Sequence, residues 1–66
     1  MGKSLDKQLG QFLRKQRGEE SYEQFAKKLG IGAGTLHRLE SAEQSITLGK
    51  LEDILKRLKC SITDIF

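Results

Sequence analysis

The chain has 66 residues, a net charge of +3, no proline and a single cysteine, Cys60. That length reads as one domain, residues 1–66, near the lower limit for folding without staples, and it excludes a catalytic cleft between two domains. The lone cysteine and the lone histidine, His37, exclude a disulfide framework and a cysteine-rich metal site, so neither metal nor cofactor is expected.

Periodicity is helical from the start. Leu5, Leu9, Phe12 and Leu13 fall at i, i+4, i+7 and i+8, with Lys7, Gln11, Arg14 and Lys15 opposite, predicting a helix over roughly 3–17. Gly18 suits its C-terminal end, because glycine tolerates positive φ. Ser21 with Gln24 three residues later is a capping-box pattern that opens a second helix, roughly 21–29, whose apolar face is Phe25, Ala26 and Leu29. A third helix follows over roughly 33–41, with Leu36 and Leu39 inward. Thr47 caps a fourth, roughly 48–59, with a buried stripe of Leu48, Leu51, Ile54, Leu55 and Leu58. Ser61 and Asp64 open a short closing helix, 61–65, with Ile62, Ile65 and Phe66 turned to the core. No segment alternates with period 2, so the expected fold is all-α with five short helices. Cys60, beside Leu58 and Ile62, reads as a small buried apolar residue.

The segment Leu29 to Glu40, LGIGAGTLHRLE, holds three glycines in five positions. A dinucleotide cradle needs G-x-G-x-x-G between a strand and a helix, and a Walker loop needs G-K-S/T. Neither condition is met. A short helix, a tight glycine turn and a second short helix instead make a helix-turn-helix, with Gly30 as the turn residue, Ile31 buried between the helices and Gly32 as the N-cap.

Several pieces in order carry a family resemblance. They are Leu9-Gly10, Leu13-Arg14 and Arg17; Phe25 to Ile31; Thr35-Leu36 and Arg38 to Glu40; then Leu51, Ile54, Leu58 and Ser61 to Phe66. Together they resemble the lambda-repressor-like, or Cro/phage-repressor (XRE), helix-turn-helix domain from Leu9 to Phe66. The resemblance implies a compact five-helix domain in which the second helix crosses the DNA backbone and the third enters the major groove. It further implies a structural ion pair between Arg17 and Glu40. Base-reading positions fall at Gly32, Ala33, Gly34 and Arg38, and backbone-contacting positions at Tyr22, Thr35 and the loop Glu43, Gln44 and Ser45.

Four departures from the family pattern stand out: a short link at Gly18 to Glu20, Gln16 where an apolar residue is usual, Tyr22 where glutamine commonly bonds a phosphate, and the bare run Gly32-Ala33-Gly34. Tyr22 either bonds a phosphate or packs. Direct readout uses long planar side chains, which leaves Arg38 as the base-reading candidate; His37 reaches a phosphate or is solvated. The basic residues Lys3, Lys7, Arg14 and Lys15 read as a solvated face or flanking phosphate contacts.

Two functions remain open. One is sequence-specific binding of duplex DNA by a small transcriptional repressor acting as a homodimer. The other is a protein-interaction module, or antitoxin-like partner, that keeps the fold with blunted readout. No triad, carboxylate pair or metal cluster points to an enzyme. No apolar run approaches the ~20 residues of a bilayer span, the first residues lack a signal-peptide core, and Asp6 stands where a myristoylation signal wants Ser or Thr. A soluble cytoplasmic protein is expected.

Overall fold

A computed structural model of the chain describes residues 2–66, with side chains from Ser4 onward, so the side chain of Lys3 lies outside the described residues. The chain folds as α1 (Gly2–Arg17), α2 (Tyr22–Leu29), α3 (Ala33–Glu40) and α4 (Leu48–Leu58), and no strand occurs among the described residues. The expectation of five helices is corrected to four α-helices among the described residues. The closing segment is one turn of 3₁₀ helix, Ile62–Asp64. Its first bonds run three residues back, Asp64 N to Ser61 O at 3.0 Å and Ile65 N to Ile62 O at 3.1 Å, and a single bond, Phe66 N to Ile62 O at 3.1 Å, runs four back. The Asp64 carboxylate meanwhile accepts the Ser61 N–H at 2.7 Å. A turn closed on itself so tightly satisfies its own donors without continuing as an α-helix.

Ten apolar side chains form the core: Leu9, Leu13, Phe25, Ala26, Leu29, Leu36, Leu39, Leu51, Ile54 and Leu55. Partly buried around them are Phe12, Tyr22, Ile31, Leu58, Cys60 and Ile65. Four residues assigned inward by spacing are not buried: Leu48 is 81% exposed, and Leu5, Ile62 and Phe66 are each close to half exposed. Leu48 is the first residue of α4 and stands ahead of the turn that meets the core. Leu5 lies on the part of α1 that outruns its partner, since 16 residues span about 24 Å and the eight of α3 only about 12 Å.

Local chemistry sets the element ends. Ser21 Oγ accepts the Gln24 N–H at 3.1 Å and Thr47 Oγ1 accepts the Lys50 N–H at 3.2 Å, each satisfying a donor the helix start leaves free. Between α2 and α3, Gly30 takes φ +73°. Its N–H reaches Lys27 O at 3.2 Å and Ile31 N–H reaches Ala26 O at 3.0 Å, the double closure of a Schellman turn. The Arg57 guanidinium lies over Gly30, its Cζ 2.9 Å from where a Cβ would stand, and Arg57 Nη1 donates to Lys28 O at 3.4 Å. Gly30 is required by its backbone angle, and the Arg57 guanidinium, the mobile end of an exposed side chain, covers it. The sharp turn it makes points α3 away from α2.

Candidate nucleic-acid interface

The site is built around α3, which is held at its C-terminal end and bare at its N-terminal end. At the C-terminal end, Gly10 of α1 sits against the backbone. A Cβ there would come within 2.7 Å of Glu40 O and 2.8 Å of Leu39 O. Glu40 then meets Arg17 in a two-pronged ion pair, with Arg17 Nε donating to Oε2 at 2.8 Å and Nη2 donating to Oε1 at 3.2 Å. The two side chains are 16% and 4% exposed. Paired donors matched to paired acceptors fix orientation as well as distance. The hydrogen bond that Arg17 donates to Glu40, ahead of the Glu40 charge, raises the Arg17 pKa above the ordinary arginine value. Arg17 Nη1 also donates to Glu20 O at 3.0 Å, which binds the short link before α2 to the same clamp.

Tyr22 extends this clamp. The Arg17 guanidinium carbon lies 4.2 Å from the Tyr22 ring centroid, a cation–π contact. The ring meets His37 of α3 edge-on, with centroids 5.3 Å apart and planes at 62°. Packing and phosphate contact, posed above as alternatives for Tyr22, are compatible. The ring is packed, and its hydroxyl makes no hydrogen bond among the described residues. Glu40, Arg17, Tyr22 and His37 thus form one continuous row from the buried end of α3 to its exposed side.

At the N-terminal end, Gly32 is the N-cap and supplies no side-chain hydrogen bond. The first bond of the helix is Leu36 N–H to Gly32 O at 3.0 Å, so the N–H groups of Ala33, Gly34 and Thr35 have no helical partner. Aligned free N–H groups and the positive end of a helix dipole favour an anion such as a DNA phosphate. Arg38 lies on the same side. Its Nη1 is 3.5 Å from the position a Cβ on Gly34 would take, and its Nη2 is 3.5 Å from Thr35 Oγ1. Arg38 Nε donates to Gln44 Oε1 at 2.9 Å.

The structure therefore brings Gly32, Ala33, Gly34, Thr35, Arg38 and Gln44 together, with Tyr22 and His37 beside them. Ser45 is placed differently. Its hydroxyl donates to Asp6 Oδ2 of α1 at 2.7 Å, so its proton is committed to a carboxylate. Glu43 is exposed in the same loop. Sequence reasoning missed the Gln44 contact, because a separation of six residues is no helical spacing. It also missed the Ser45–Asp6 tie and the Arg57 cap on α2, where only the Asp53–Arg57 i,i+4 pair (3.2 Å) carried a visible signal.

Among the described residues, no group of three or more His, Cys, Asp or Glu side chains is placed to hold a metal ion. No described helix is long and apolar enough to cross a membrane. Compared with known proteins, residues 13–65 match the family described as HTH_3, helix-turn-helix. No curated protein and no solved structure matches the chain.

Proposed function

The chain belongs to the HTH_3 helix-turn-helix family, and from that premise we propose that it is a small cytoplasmic transcriptional repressor that binds duplex DNA sequence-specifically as a homodimer. The observation that carries this reading is the shared direction of two features of α3. Unpaired N–H groups at its N-terminus suit a phosphate, and Arg38 on the same side suits a base edge. Phosphate contacts fix position on the duplex and base contacts supply sequence. Tyr22 and His37 flank that surface as further phosphate donors. A net charge of +3 agrees with a polyanionic partner. Repression follows from occupancy, since a protein seated in the major groove blocks others from it.

Pairing is supported by the size of the reading element. Eight residues present few side chains to the groove, and two half-sites about 34 Å apart double the contact. An apolar face on α4 offers a place for the second copy. Leu48, largely exposed, lines a cavity of about 270 Å³ with Leu51, Glu52, Leu55 and Ile62. A two-fold dimer would set this apolar patch against its own image.

Selection from random duplex DNA at two salt concentrations tests the reading. The expected result is a preferred sequence, with affinity that falls steeply as salt rises. Arg38→Ala should weaken the selected site by about 5- to 150-fold, the range for losing one bidentate base contact, and relax preference at one base pair. Shallow, sequence-blind binding would instead favour a module that recognises a protein partner, the reading to which the bareness of Gly32, Ala33 and Gly34 lends weight.

A further inference from the structure

We propose that Gln44 is a positioning residue, which sets the Arg38 guanidinium along the bare start of α3 before DNA arrives, and that this rather than vacancy is what the missing side chain at Gly34 serves. The inference rests on the reading of α3 as the element that enters the groove.

Side chains on a helix lean toward its N-terminus, so residue 38 covers the ground above residues 34 and 35. Arg38 does this closely, with Nη1 3.5 Å from the virtual Cβ of Gly34 and Nη2 3.5 Å from Thr35 Oγ1. A side chain longer than a methyl at position 34 would contest that space. Gln44 holds the guanidinium from behind through Nε, at 2.9 Å. Among the described residues Nη1 makes no hydrogen bond, and Nη2 makes only the long one to Thr35 Oγ1. N–H donors therefore remain for acceptors such as the O6 and N7 of guanine.

The loop that delivers Gln44 is itself built on Arg38. Ala42 takes φ +58°, which folds the chain back over the last turn of α3. Glu43 N–H then donates to Arg38 O at 2.9 Å. Main chain and side chain of one residue thus anchor consecutive loop residues. An exposed arginine otherwise samples many rotamers, and fixing one in advance removes an entropic cost of binding.

Gln44→Met, equal in length but without the acceptor, tests the role. In the free protein, the ¹⁵N-resolved Arg38 Nε–H signal should lose its protection from exchange while backbone amides stay unchanged. Affinity for the selected operator should fall about two- to tenfold, as expected for releasing one rotamer-rich side chain. Arg38→Ala with Gln44→Met should be no weaker than Arg38→Ala alone, since a residue acting through Arg38 has nothing left to position. Three results overturn the proposal: tighter binding by Gln44→Met, which would make the bond a lock to be broken; additive losses in the double variant, which would make Gln44 an independent phosphate contact; and an unprotected Nε–H in the parent. If the parent selects no sequence, the reading of α3 fails first and the positioning role falls with it.

Discussion

Three helical glycines, replaced one at a time by alanine, separate helix propensity from close approach. In a helix interior alanine is favoured over glycine by about 1 kcal/mol. At Gly49, in the first turn of α4, an added Cβ meets nothing within 4 Å, so most of that gain is available. Gly34 meets only Arg38 Nη1, at an ordinary contact of 3.5 Å, and should gain as well. Gly10 is opposed by two backbone carbonyl oxygens of α3, at 2.7 and 2.8 Å. Neither can rotate away as a side chain could. Ordinary contact lies near 3.5 Å, so α1 and α3 must part by roughly half an ångström or more. Overpacking of that kind costs about 1–3 kcal/mol, and the fixed backbone partners place this case in the upper half. After the helical gain, Gly10→Ala should be less stable by about 1–2 kcal/mol. At about 4–8 °C per kcal/mol for a domain of this size, thermal unfolding followed by far-ultraviolet circular dichroism should show Tm lower by about 5–15 °C. Gly49→Ala should rise by about 2–8 °C. Equal stabilisation in Gly10→Ala and Gly49→Ala would refute the close α1–α3 contact, and with it the account of how α3 is held.

Ala42 and Lys59 both sit at φ +58° where a helix closes, so Ala42→Gly and Lys59→Gly should each add about 0.5–1 kcal/mol, read as a higher urea midpoint at unchanged slope. Gly30→Ala forces a left-handed backbone angle onto a residue with a Cβ, while Arg57 can swing aside, so it should lose about 1–2 kcal/mol; full retention of stability would contradict the need for glycine at that turn. The Arg17 pKa is raised in the folded state, chiefly by its hydrogen bond with Glu40. While its partner carboxylate stays ionised, its contribution is therefore complete below the unfolded arginine value and is lost only as pH rises through the higher folded one. Between about pH 6 and about pH 10, Tm should show no fall that depends on Arg17; a fall abolished by Arg17→Met would count against the pair as drawn.

What was legible in the sequence follows from the range of each signal. Apolar spacing located Leu9, Leu13, Phe25, Leu29, Leu36, Leu39, Leu51 and Ile54, because burial of a helix face repeats every three or four residues. The Arg17–Glu40 pair was reachable only through family resemblance, since 23 residues separate its members. Spacing misjudged Leu48, whose periodic position is right but which precedes the turn that reaches the core. It misjudged the last helix too, because Ser61 and Asp64 satisfy a capping pattern whether or not a helix follows. Gly10 looked like any helical glycine, and only the carbonyls of Leu39 and Glu40 explain it. Gly34 looked like an anomaly until Arg38 was seen to lie across it.

An isolated helix of eight residues is not stable in water, and α3 adds a glycine inside its first turn and no side-chain cap. Its order must come from elsewhere. Leu36 and Leu39 anchor one face in the core, and Gly10 and Arg17 clamp the C-terminal end. None of these holds touches the free N–H groups or Arg38; the clamp reaches that side only at His37, through the Tyr22 ring. The N-terminal end of α3, the proposed reading end, is thus left free because the other end carries the stability. It follows that Glu40→Gln, which touches no DNA in this arrangement, should weaken stability and operator affinity together. Restoring the fold with Ala42→Gly and Lys59→Gly should recover the first and only part of the second. The stabilising changes raise the folded fraction, but they do not rebuild the fork that orients α3. Complete recovery of affinity would mean that the ion pair serves stability alone and that Gly10 and the core suffice to aim the helix.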